Sequence, residues 1–177
     1  MSSPTPSSMR RVAFIRNLNQ GQRGHVSTAD LVGSFEDAGC RDVAPFQSNG
    51  TVVFSGPAAL ATDAMSALAV RTGVEREVFV HGFDDLADIV AAHRGADDAA
   101  RRELTLHAPV LIALDERAAS EAARRRCSLL QTAVGWTVTR NERDRESNAT
   151  PVIERLTGAP ATSRGLPTLI RLVDREA

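Results

Sequence analysis

The chain has 177 residues, a formal net charge of −1 and 42% hydrophobic residues, so it has enough apolar material for one domain or two small fused halves. The near-neutral balance gives no global field for nucleic acid, and any anion site has to be local. All 21 basic residues are arginine, a bias spread over the whole chain that reads as GC-rich coding in a bacterium.

Met1 to Ser8 has neither a basic region nor an apolar core of the signal-peptide kind and reads, with the residues up to 10, as a disordered tail. Val12 to Ile15 is a strand candidate. Ser27 and Asp30 form an S-x-x-D capping signal for a helix that turns Leu31, Phe35 and Ala38 inward and ends at Gly39. Asp42 to Phe46 is a weaker strand, assigned to a sheet edge because Pro45 cannot donate to a ladder. Asn49-Gly50 marks a hairpin into Thr51–Phe54. Pro57 opens a second helix carrying Leu60, Ala64 and Leu68 and stopping near Gly73, and Val78 to Val80 is the next strand. The order β-α-β-β-α-β over residues 11–81 is the ferredoxin-like, split βαβ pattern.

Residues 82–177 form a second α+β half, with divergent duplication left open. Asp84 and Asp85 cap a helix through His93. Leu104 to Leu114 reads as a strand bent near Pro109, and Glu116 to Leu130 as an alanine- and arginine-rich helix. Val134, Trp136 and Val138 alternate with smaller residues as a half-buried strand. Arg140 to Glu146 reads as a charged connector. Thr150-Pro151 and Pro167 begin two C-terminal helices, the first closed by Gly158. The fold class is therefore α+β, two ferredoxin-like halves with mainly antiparallel sheets plus C-terminal helices.

In such a sheet the first and third strands are antiparallel neighbours. That pairing brings the loop Arg16 to His25 beside Gln47 to Thr51. No acid occurs before Asp30 or between Val43 and Thr62. The expectation is a pocket for a small anionic or polar ligand. Arg16 and Arg23 supply charge-assisted donors, the amides of Asn17, Asn19, Gln20 and Asn49 fix orientation, and Gly21 lets backbone approach closely. Gln47 and Ser48 complete the facing turn. The blander reading, amides and glycines satisfying turn hydrogen bonds, stands beside it.

Other constellations are poorer. The four histidines make no H-E-x-x-H or H-x-H pattern, so no metal site is expected, and no cofactor is indicated. His25 is the one histidine placed to carry a proton. Ser48 lies in no G-x-S-x-G elbow, and Cys40 follows a helix-ending glycine. Cys40 and Cys127 are too far apart in sequence and too few for a disulfide framework. Arg124-Arg125-Arg126 points in several directions on a helix, which speaks against nucleic-acid binding. No apolar run reaches the roughly 18 residues of a membrane helix, and the expected location is cytoplasmic.

Three ordered segments resemble one family. Arg16-Asn17-Leu18-Asn19-Gln20-Gly21 resembles the Arg-Gly-Ile-Asn-Val-Gly signature of the domain-of-unknown-function 1697 family. Phe46 to Phe54 is similar to its Tyr-Ile-Gln-Ser-Gly-Asn-Val-Val-Phe hairpin. Ala161-Thr162-Ser163-Arg164, with Thr168 to Leu172, resembles its closing Ala-Thr-Thr-Arg-Asn-Trp segment. The likeness runs from about Arg11 to Arg175 and implies ferredoxin-like halves without an assigned activity. It adds Thr162 and Arg164 to the candidate site. Asn17, Thr51 and Gly165-Leu166 depart from the family pattern, and its Ser-Lys-Leu-Thr element survives only faintly at Ser147 to Thr150. Three functional readings follow: binding of a small anionic or phosphorylated ligand, an enzyme of small-molecule metabolism using the same pocket, and an oligomerising or regulatory protein, a homodimer included.

Overall fold

The computed structural model describes residues 9–18 and 26–177. Residues 1–8 of the expected tail, and the candidates Asn19, Gln20, Gly21, Arg23 and His25, lie outside the described residues; Arg10, read as the end of that tail, already belongs to the first strand, where it pairs with Ser55. The chain divides into two compact units at Leu86/Ala87.

The first unit runs β1 (Arg10–Ile15), α1 (Thr28–Asp37), β2 (Arg41–Phe46), β3 (Thr51–Ser55), α2 (Ala59–Thr72), β4 (Val78–Gly82) and the start of α3 (Phe83–His93). Its sheet has the order β2-β3-β1-β4, with every pair antiparallel. The local signals act as their chemistry dictates. Ser27 caps α1, its Oγ accepting from the Asp30 amide at 3.0 Å and donating to the Asp30 carboxylate at 2.9 Å. Gly39 and Gly73 leave α1 and α2 with φ of 97° and 73°. β2, with Pro45 and a register shift between Arg41 and Ala44, is an edge strand as expected. Asn49-Gly50 is half of a four-residue turn, Gln47–Gly50, and not a two-residue hairpin. One sheet face turns Ala13, Ile15, Val52 and Phe54 toward Leu31, Phe35, Ala64 and Leu68 of the helices. The Phe35 and Phe54 rings meet at 5.4 Å and 57°. Arg71 ties the helices on their outer side through Asp30 and Asp37.

The second unit contains the rest of α3, one 3₁₀ turn (Ala99–Arg101), β5 (Arg102–Leu106), α4 (Glu116–Arg124), β6 (Cys127–Ala133), β7 (Trp136–Asn141), α5 (Ala149–Thr157), β8 (Thr162–Gly165) and α6 (Leu166–Glu176). Its sheet has the order β6-β7-β5-β8, again antiparallel.

Several expectations fail here. The strand stops at Leu106 instead of continuing to Leu114, because His107 to Leu114 carries Pro109 and makes isolated turn contacts such as Val110 N–H to Ala108 O. α4 ends at Arg124, and what had read as its last turn is strand β6. Arg126 reverses the chain with φ 58°, so Arg124, Arg125 and Arg126 are not three successive helical positions. Val134 is 63% exposed at a two-residue turn with Gly135, and β7 is buried on both faces through Thr137, Val138 and Thr139. Strand β8, Thr162–Gly165, is a further element that no pattern in the sequence signals.

The ladders give a position-by-position correspondence. Phe14 pairs with Thr51 and Phe79, and Leu106 pairs with Trp136 and Thr162. On that register Ala13, Val52, Phe54 and Val80 of the first sheet correspond to Thr105, Thr137, Thr139 and Ser163 of the second. The side packed against helices is thus hydrocarbon in one unit and largely hydroxyl in the other.

Candidate functional site

The pairing of β1 with β3 brings the start of the β1–α1 connection, Arg16–Leu18, against the Gln47–Gly50 turn at one sheet end. Ile15 N–H donates to Gly50 O at 2.8 Å, immediately before Arg16. A Cβ on Gly50 would stand 2.8 Å from Ile15 O and 3.1 Å from Leu18 Cβ, and its φ is 75°. Glycine is therefore required both for the left-handed turn and for the close approach of the β1–α1 connection. Asn17 and Gln47 also adopt positive φ, both 54°. Leu18 is buried and pins the outgoing chain.

Around this contact Asn17, Gln47 and Ser48 are exposed and Arg16 and Asn49 half-buried. Asn49 Oδ1 accepts from the Thr51 amide at 3.2 Å, the turn-closing role of the blander reading. The sequence argument missed Glu77. Its carbonyl accepts from Arg16 N–H at 3.0 Å, and its carboxylate lies 3.7 Å from the Arg16 guanidinium. The incoming end of β4 thus brings an acid to a place that looked acid-free in the linear chain. Both side chains of this pair are open to solvent, where such a bridge is worth at most about 1 kcal/mol and is readily exchanged for another anion.

Thr162 and Arg164 belong to the second unit, on β8. Arg164 is 8% exposed, and its Nη1 donates to Thr162 Oγ1 and Ser163 O, both at 2.9 Å. Burial pulls its guanidinium down to about 10, which marks the desolvation it bears.

Neither cysteine has the character of a nucleophile: both are buried, and burial pushes each thiol up to about 11. Among the described residues no group of histidines, cysteines and carboxylates could hold a metal ion. His107 Nδ1 lies 2.9 Å from Ala108 O and Nε2 3.0 Å from Thr137 Oγ1, and burial lowers its proton affinity against smaller opposing pulls from the Ala108 and Trp136 carbonyls. His81 is lowered by burial against a smaller opposing pull from Asp85.

Sequence reasoning also missed the polar centre of the second unit. Glu103 is 4% exposed and accepts from Asn141 Nδ2 at 2.9 Å, Ser147 Oγ at 2.5 Å and the Ala149 amide at 3.2 Å. A carboxylate set there satisfies free donors at the start of α5 and complements its dipole. Thr105, Ser163 and Thr150 form a chain of hydroxyls with 2.7 Å spacings. Asn141 and Glu146 belong to this scaffold, the latter paired with Arg126 at 3.0 Å, so the segment Arg140 to Glu146 is not merely a connector.

Among the described residues no helix is long and apolar enough to cross a membrane. No curated protein matches the chain. The chain is similar in structure to a conserved bacterial protein of Streptococcus pneumoniae, with 14% identity and a TM-score of 0.60 over 94% of this chain and 97% of that one. The match shows a shared fold. The model of a protein family of unknown function, DUF1697, matches residues 9–135, nearly three quarters of the chain, and the chain belongs to that family.

Proposed function

We propose that this protein binds a small anionic or phosphorylated ligand at the first unit's loop end, and that it works in the bacterial cytoplasm. The observation that carries this is the contact of Ile15 and Leu18 with Gly50, which sets Arg16 and Asn17 beside the Gln47–Thr51 turn. Arg16 and Arg23 are the charged donors, with Asn17, Asn19, Gln20, Gly21, Gln47, Ser48 and Asn49 shaping the site. In binding, the ligand displaces Glu77 from Arg16. The strand order and antiparallel pairing of each sheet support a ferredoxin-like assignment for both units, and the ladder correspondence supports a divergent duplication. Thr162 and Arg164 enter on the family resemblance. No residue is assigned to catalysis.

A thermal-shift panel of nucleotides, sugar phosphates and carboxylates tests the reading. A ligand at about 100 times its Kd adds about 2.7 kcal/mol of stability. The doubly substituted Arg16→Ala, Arg23→Ala protein should lose that shift while keeping its own melting transition. A shift equal in both proteins, or none across the panel, refutes the site.

A second reading, self-association, draws on a different surface. Val110, Leu111, Leu114 and Val134 are between 45% and 63% exposed, and all lie in the His107–Leu114 connection or the Val134-Gly135 turn. Light scattering across concentration tests it: a mass fixed at that of the monomer excludes it.

A further inference from the structure

A cleft lies on the helix side of the first unit, apart from the Ile15–Gly50 contact. It has a volume of about 510 Å³ and is lined by Thr62, Met65, Ser66, Ala69, Val70 and Gly73 of α2 and its cap, with Glu75 and Arg76 from the connection to β4. Three features there lack a structural purpose. Val70, in the cleft lining, is 89% exposed, and Val74, in the adjoining connection, is 49% exposed, leaving both bulky apolar side chains without cover. Arg76 has no carboxylate partner among the described residues. Its Nη1 donates to Thr72 Oγ1 at 3.3 Å and Val74 O at 3.2 Å, while its Nε–H is buried without an acceptor. An unsatisfied buried donor is costly, more so on a cation, and its natural complement is an anionic oxygen.

We propose that this cleft binds a small monocarboxylate with an apolar stem. The carboxylate pairs with the Arg76 guanidinium, and the stem lies along Met65, Ala69 and Val70. The volume falls within the range of small-molecule sites and suits a short chain or single ring. Charge selects the monoanion. The cleft offers one guanidinium, so a single carboxylate can be matched by it, whereas a phosphate dianion brings a second charge with no cationic partner beside Glu75 and the carbonyl end of α2. This site does not depend on the loop proposal: Arg76 lines the cleft together with residues of α2, whereas its neighbour Glu77 pairs with Arg16.

The test is amide chemical-shift mapping with hexanoate as probe and 1-hexanol and inorganic phosphate as controls. Hexanoate should move the Met65, Ala69, Val70 and Arg76 amides with a saturable curve, and neither control should do so. Arg76→Gln should weaken hexanoate at least tenfold and Arg76→Lys by less, with melting temperatures measured to confirm that each variant is folded. If Arg76→Gln does not fold, Ala69→Trp, which fills the cleft, should abolish the same shifts. Absence of shifts at 20 mM hexanoate, equal response to hexanol, or undiminished binding by folded Arg76→Gln overturns the proposal. Arg16→Ala should leave hexanoate binding unchanged, which separates this site from the loop site.

Discussion

The two units share one strand order, yet they fill the space between sheet and helices with different chemistry. In the first, Ala13, Ile15, Val52 and Phe54 meet Leu31, Phe35 and Leu68, and stability comes from apolar burial. In the second, the corresponding face carries Glu103, Thr105, Thr137, Thr139 and Ser163, and hydrogen bonds to Asn141, Ser147, Thr150 and His107 organise it. The loop ends differ in the reverse sense. The first unit presents Arg16, Asn17, Gln47 and Ser48 to solvent, whereas the second presents Val110, Leu111, Leu114 and Val134. One topology thus tolerates an exchange of polar and apolar material, with most of the buried polar groups on that face paired and Thr139 Oγ1 the exception.

The sharpest way to break this comparison is at corresponding ladder positions. Phe54→Ala should destabilise the protein by about 3–5 kcal/mol, the usual cost of emptying a packed aromatic site. Thr139→Val, at the matching place in the second sheet, should stabilise by about 1 kcal/mol, because Thr139 Oγ1 is buried without a partner and valine keeps its shape. Urea unfolding measures both. Equal signs for the two would mean that the hydroxyl face is not organised as described.

Glu103→Leu should cost about 3 kcal/mol, since it strands the Asn141 amide, the Ser147 hydroxyl and the Ala149 N–H. Trp136, the one tryptophan, sits on β7 in the same sheet and reports that unfolding by fluorescence. A loss below about 1 kcal/mol would show that α5 is held by its apolar contacts alone.

A smaller effect is expected with pH. His107 and His81 are both lowered by burial, so the unfolded chain takes up protons at these positions before the folded one does. Their contribution is complete above the unfolded imidazole value of about 6.5 and is lost as pH falls through and below it. His107→Gln should flatten the slope of stability against pH below about 6.5. An unchanged slope would place its origin elsewhere.

What could be read from sequence was what is chemically local. Ser27 with Asp30, Gly39, Gly73, Pro45 and Gly158 signal caps and an edge through their own backbone preferences, and the structure uses each of them so. The chain reversal at Arg126 gave no such warning, because a left-handed turn is usually marked by glycine or asparagine. Ala118 and Ala122 also lead into Leu129 at helical spacing, which hid β6. β8 is four residues long and polar, too short for an alternation to register. Glu103 looked like one more surface charge because its three partners come from β7, the following turn and α5. At the candidate site, the approach of Arg16–Leu18 to the Gln47–Gly50 turn followed from strand adjacency alone. The approach of Glu77 required knowing how β4 enters the sheet.

The central claim is that the turn Gln47–Thr51 and the start of the β1–α1 connection form one recognition surface for an anion. Its most direct test is amide chemical-shift mapping with the strongest ligand from the nucleotide and sugar-phosphate panel. The account predicts that the amides of Arg16, Asn17 and Gln47 to Thr51 move together along one saturable curve, and that Arg16→Ala weakens binding at least tenfold. Saturable shifts confined to other parts of the chain, or binding indifferent to Arg16, would contradict it.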